Sequence, residues 1–235
     1  MNLLALETST EACSVALVHG DQLIERFEIA PRRHAELSLP WADALLAEAG
    51  LARHALDAIA VSRGPGAFTG VRLGISLAQG MALALGRPVV AVSTLAALAL
   101  RAGAEDGEQV LAAIDARMGE VYWCSYRMRD GEPHALMAEQ VSKPADVIID
   151  GAGWHGVGTG FAAQESVLAM HLSAQLATLD ASALPHAADV ARLAVAAFAR
   201  GEAQPPERIE PAYLRNNVAL TLSEQAALRA AKERQ

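Results

Sequence analysis

The amino-acid sequence predicts an α/β protein built from two related halves, and three observations predict it. The chain opens with three apolar segments parted by short polar turns. That opening recurs in the second half, from Val110 onward. Between the two, apolar runs of strand length alternate with longer amphipathic ones. Strands that alternate with helices run parallel and are covered by those helices.

The first strand is Leu3 to Glu7, followed by the turn Thr8-Ser9-Thr10 and a second apolar run, Cys13 to Val18. A Gly20-Asp21 turn leads into Leu23 to Ile29, completing a three-strand antiparallel meander. Next come an amphipathic helix from His34 to Ala49, a strand from Ala58 to Ser62 and a helix from Thr69 to Leu85. A strand from Val89 to Val92 precedes a helix that starts near Thr94. In the second half, Val110 to Ile114 ends in Asp115, Arg117-Met118-Gly119 is the turn, and Val121 to Met128 is the second strand. Asp130-Gly131 then turns into Leu136 to Val141. An acid closes the first strand of both halves, Glu7 and Asp115. A duplicated meander followed by helices is the pattern of the actin-like/sugar-kinase/Hsp70 (ASKHA) fold, in which two domains face each other across a nucleotide cleft. The expected division is 1–103 for the first domain and 104–235 for the second. Helices are expected from Ala187 to Arg200 and, at the end, from Leu220 to Lys232.

Composition narrows the function. Apolar residues make up 52% and charged residues 20%, which places the chain among globular proteins. The formal charge is -8, and no basic run is longer than Arg32-Arg33. Nucleic-acid affinity comes mostly from neutralised phosphates, so if the function involves a nucleic acid, another subunit is expected to supply much of the contact. The start has no basic head and meets Glu7 after a short apolar run, unlike a signal peptide. Arg87 and Pro88 interrupt the most apolar stretch, which argues against a membrane span and for a cytoplasmic protein. Cys13 and Cys124 sit in apolar strands with no partner Cys or His nearby, so both are expected as buried, reduced thiols.

Four segments are candidates for chemistry. Glu7, Thr8 and Ser9 form the turn that wraps nucleotide phosphates in kinases of this fold; the alternative is a tight hairpin whose hydroxyls satisfy local backbone. Ser62-Arg63-Gly64-Pro65-Gly66-Ala67-Phe68-Thr69-Gly70 is a glycine-rich turn into a helix, without the Gly-Lys-Ser/Thr of a P-loop or the spacing of a dinucleotide fingerprint. On the helix that follows, Arg72, Ser76 and Gln79 make one narrow polar stripe. A helix apolar almost all round needs cover on more than one side. The second cover is either a neighbouring helix or a partner protein; in the second case Gly70, Val71, Gly74, Leu77, Ala78 and Met81 are expected as an interface, with the two glycines permitting close helix-helix contact. Asp115, Arg117 and Glu120 are expected as a mutually paired structural cluster at the cleft, the alternative being three solvated turn residues. Gly151 to Gly158 reads as a glycine-rich strand and turn rather than a nucleotide loop. With no His-x-x-x-His, no His-Glu-x-x-His and no Gly-x-Ser-x-Gly, no metal, cofactor or hydrolase triad is expected.

Read together, several strings resemble the TsaB (YeaZ) family. They are Leu6 to Thr10, His34 with Leu39-Pro40, Ser62 to Arg72, Asp115 to Tyr122, and Pro211-Ala212-Tyr213-Leu214-Arg215. The resemblance is weakest from Pro144 to Pro206. It implies a subunit of the bacterial machinery that makes N6-threonylcarbamoyladenosine at position 37 of tRNAs reading ANN codons. In that family the catalyst is the paralogue TsaD, which transfers threonylcarbamoyl from its adenylate. TsaB-type proteins bind TsaD, join the ATPase TsaE through the complex, and pair as homodimers when alone. TsaD carries a metal-binding His-x-x-x-His; here the matching place is His34-Ala35-Glu36-Leu37-Ser38, where the second histidine is missing. The resemblance thus implies a non-catalytic accessory subunit. The competing reading is an active small-molecule kinase or metallopeptidase of the same fold, and a third is a homodimeric nucleotide sensor.

Overall fold

The computed structural model describes residues 1–215, so the helix expected from Leu220 to Lys232 lies outside the described residues. The first half opens on β1 (Asn2–Glu7), β2 (Ala12–His19) and β3 (Gln22–Ile29). It continues through α1 (His34–Glu48), β4 (Ala58–Ser62), α2 (Phe68–Leu85), β5 (Val89–Val92) and α3 (Thr94–Leu100). Its sheet has the order β3-β2-β1-β4-β5, antiparallel through the meander and parallel from β1 to β5. β1 is apolar throughout because both its faces are covered. Leu4 and Leu6 point toward α1 and α2, where they meet Leu45, Leu46, Val71 and Ile75. Leu3 and Ala5 point to the other face.

That second face corrects the expected domain division. It is covered by α5 (Ala187–Ala199), whose Ala187, Val190, Ala191 and Ala194 pack on Leu3, Ala5, Ala16, Ala58 and Ala60. α5 stands late in the chain but returns to the first sheet, so 104–235 is not one body. Small residues on both surfaces let helix and sheet approach closely, which is why this face is rich in alanine.

The second sheet contains β6 (Gln109–Arg117), β7 (Glu120–Arg129), β8 (Glu132–Ala135), β9 (Gln140–Ser142), β10 (Trp154–Val157) and β11 (Leu176–Asp180). Its order is β11-β10-β6-β7-β8, with β9 also beside β7. Of the third strand expected from Leu136 to Val141, only Gln140 and Val141 lie in a strand, β9; the pairing with β7 starts earlier, in β8, directly after the Asp130-Gly131 turn. α3 covers one face through Leu95 and Leu98, and α4 (Ala163–His171) covers the other through Leu168. The Gly151 to Gly158 stretch forms β10 and its flanking turns. α2 is long and apolar enough to cross a membrane, yet its Val71, Ile75, Ala78 and Ala82 are buried in the first core.

Candidate functional site: a cleft with one sealed turn and one open turn

The β1–β2 turn is closed by Glu7. Its Oε1 accepts the Ser9 backbone N–H at 2.5 Å and the Ser9 hydroxyl at 2.5 Å. Glu7 and Ser9 are fully buried and Thr8 nearly so. Burial pushes the Glu7 carboxyl above its usual range, opposed by the hydroxyls of Ser62 and Ser9 and by His34. Glu7 Oε2 and Ser62 Oγ are both buried without a hydrogen-bond partner among the described residues.

The glycines explain how the turn comes to be sealed. A Cβ on Gly66 or Gly70 would lie closer than 3.0 Å to the backbone oxygens of Ser9 and Thr8, respectively. A Cβ on Gly74 would lie 2.5 Å from Thr8 Oγ1. Thr8 Oγ1 in turn donates to Gly70 O at 2.8 Å, and the Ala67 N–H donates to Ser9 O at 2.7 Å. Only hydrogen fits at these three positions, so α2 lies directly on the Thr8-Ser9 backbone. This corrects the expected interface. Gly70, Val71, Gly74 and Ala78 face inward, and Leu77 and Met81 are half-buried against the first core. It also counts against the phosphate reading, because the Thr8 and Ser9 hydroxyls are spent on the chain itself and the Glu7 carboxyl is sealed beneath them. The outer face of α2 is a different set: Phe68 is 66% and Leu83 63% exposed, with Thr69, Ser76, Gly80 and Ala84 between them.

The β6–β7 turn uses the same local device in the open. Asp115 Oδ1 accepts the Arg117 N–H at 2.8 Å, as Glu7 accepts that of Ser9. Asp115 Oδ2 pairs with Arg117 Nη1 at 2.9 Å. Here, however, the Arg117 side chain is 79% exposed, and Arg117, Met118 and Gly119 all adopt left-handed conformations. Glu120 is not part of that pair, which corrects the expected three-residue cluster. It pairs instead with Arg215, from the end of the described chain.

Between the two turns lies a cavity of about 1070 Å³ lined from both halves, by Thr10, Arg32, Arg72, Asp115, Arg117 and Thr159 among others. Residues 211–215 line it too. Arg72 and Gln79 of the polar stripe on α2 meet this late segment, while Ser76 stays exposed. Gln79 donates to Pro206 O at 2.9 Å and Ile209 O at 3.2 Å. The Arg72 guanidinium lies 3.3 Å from the Phe68 ring centroid and donates to the Tyr213 hydroxyl. Sequence reading missed this crossing; its signal is Pro211 to Arg215, a string that resembles its family but has no apolar periodicity.

The comparisons with known proteins follow this geometry. The family model described as TsaD, tRNA N6-adenosine threonylcarbamoyltransferase, matches residues 27–232. The tRNA threonylcarbamoyladenosine biosynthesis protein TsaB of Escherichia coli is 42% identical, covering 93% of this chain and 96% of that one. The Haemophilus influenzae protein of the same name is 40% identical over 93% and 95%. A solved structure, YeaZ from Pseudomonas aeruginosa, is 51% identical with a TM-score of 0.84, covering 91% of this chain and 99% of that one. The chain belongs to the TsaB family.

In this TsaB-family chain, His34 is buried at the start of α1. Its Nε2 lies 3.0 Å from Thr10 O and 3.1 Å from Ala12 O, so it pins the end of the β1–β2 turn. Ser38 donates back to His34 O at 2.7 Å. No group of three or more His, Cys, Asp or Glu with metal-ligand geometry occurs among the described residues. Cys13 and Cys124 are free and buried, and burial pushes the Cys124 thiol up to about 11.

Proposed function

We propose that this chain is a non-catalytic subunit in the formation of N6-threonylcarbamoyladenosine at position 37 of tRNA. It docks a TsaD-like paralogue on the outer face of α2 and meets a TsaE-like ATPase through that complex. The names of its full-length relatives support a role in tRNA threonylcarbamoyladenosine biosynthesis. The observation that carries the non-catalytic and docking parts is the contrast between the two faces of α2. The inner glycines seal the turn that would hold phosphate, while Phe68, Gly80 and Leu83 leave an apolar strip uncovered.

The same strip suits a homodimer when the paralogue is absent, so the two pairings compete. The net charge of -8 supports tRNA contact through the partner and not through this chain. The composition and buried thiols support a cytoplasmic location. The test is turnover. The purified chain should neither modify tRNA nor hydrolyse ATP by itself, and adding the paralogue and the ATPase should give modified tRNA. Turnover by the chain alone, abolished by Asp115→Ala, would overturn the reading in favour of the kinase or peptidase alternative.

A further inference from the structure

The late segment 204–215 does more than fill space beside α2. It is fixed to the first half at successive points. Gln204 exchanges two 2.8 Å backbone hydrogen bonds with Val89, and Pro206 O and Ile209 O accept from Gln79. Ile209 is buried in the core beneath α2, and the Ala212 N–H donates to Arg63 O at 2.8 Å. The Tyr213 hydroxyl meets Arg72, whose guanidinium also lies 5.1 Å from the Tyr213 ring centroid. Two residues later the chain is on the other side of the cavity. Arg215 pairs with Glu120 and donates to Ala116 O at 3.3 Å and Arg117 O at 3.5 Å, on the β6–β7 hairpin.

We propose that residues 204–215 form a strap across the cleft, which holds the two halves at a set opening and has its far end latched by Arg215. The latch is suited to the task. A guanidinium that binds one carboxylate and two carbonyls at once fixes direction as well as distance. Its side chain is 17% exposed, so the pair is screened less than a surface ion pair. The hairpin it holds is the left-handed turn Arg117-Met118-Gly119, the open counterpart of the sealed one. The near end is Arg72, whose other face stacks on exposed Phe68. The strap therefore runs from the outer rim of α2 to the open turn, and a change at either end reaches the other.

The isolated chain is sufficient to test this, so the outcome is independent of the docking reading. Because both native cysteines are buried, labels can be placed at Glu36→Cys and Met170→Cys, exposed sites in different halves. Pulsed electron-electron distance measurements on the otherwise wild-type chain, diluted in excess unlabelled chain so that only distances within one protomer are read, should give one narrow distribution. Arg215→Ala and Glu120→Gln should each widen it about two-fold, as a second, more open state is populated. Tyr213→Phe with Arg72→Gln removes one of several anchors at the opposite end and should widen it less. Combined with Arg215→Ala it should add little, as links in series do. Arg215→Lys, which keeps the charge without the fork, should widen it less than Arg215→Ala. An unchanged distribution after Arg215→Ala overturns the proposal.

Discussion

The β1–β2 and β6–β7 turns begin from one local design and end in opposite states. Each has an acid at the end of its first strand that accepts the backbone N–H two residues on, Glu7 from Ser9 and Asp115 from Arg117. In the first half that acid is fully buried, because Gly66, Gly70 and Gly74 let α2 settle on the turn. In the second half α4 leaves the turn exposed, and its tip is held in left-handed geometry by Asp115 and by Arg215. What differs is the third layer, not the hairpin. Duplicated elements diverge in function by what is packed against them.

The largest effect expected from this comparison lies at the glycines. Gly70→Ala places a methyl group against Thr8 O where nothing can give way, and should cost about 3 kcal/mol or prevent folding. Gly119→Ala in the open turn meets only the left-handed backbone, near φ 79°, with nothing closer than 3.9 Å. It should cost about 1 kcal/mol by urea unfolding. Equal costs would break the contrast between a sealed and an open turn.

Glu7→Gln sharpens it through pH. The folded chain raises the Glu7 carboxyl above its ordinary value of 4.5. The proton it holds therefore contributes stability in full below about pH 4.5, and that contribution is lost as pH rises through the folded value. Glutamine does not ionise, so the variant should match wild type in acid and gain on it toward neutrality. Thermal melts across that range should show the gap opening with pH; a gap that closes instead would mean that Glu7 is charged in the fold. The smallest effect is expected at Arg117→Ala. Its ion pair with Asp115 is exposed, so stability should change by less than about 0.5 kcal/mol in the same unfolding measurement.

Much of this arrangement was legible in the sequence. The strands Ala58 to Ser62 and Val89 to Val92 were read at their observed bounds, because short β-branched and alanine runs between turn residues leave little choice. The start of α3 at Thr94 was legible too, since Ser93 supplies its cap and accepts the Ala96 N–H. The return of α5 to the first sheet was not, because an alanine-rich amphipathic helix fits either sheet equally well. For α2, apolar periodicity announced that both sides needed cover but not which side met which surface. Gly70 and Gly74 signalled close approach, and the thing approaching was the chain's own Thr8. The clue lay in a third glycine, Gly66, which extends the spacing back to the turn, beyond the helix.

The central claim is that α2 divides its labour, sealing the turn inside and docking a partner outside. Gly80 tests it most directly, since it is exposed and nothing lies within 4 Å of an added Cβ. Gly80→Arg should fold and melt like wild type. Calorimetric titration with the TsaD-like paralogue should then show its affinity reduced about 100-fold, or roughly 2.7 kcal/mol. An unaltered affinity in the folded variant would contradict the account and place the partner elsewhere on the molecule.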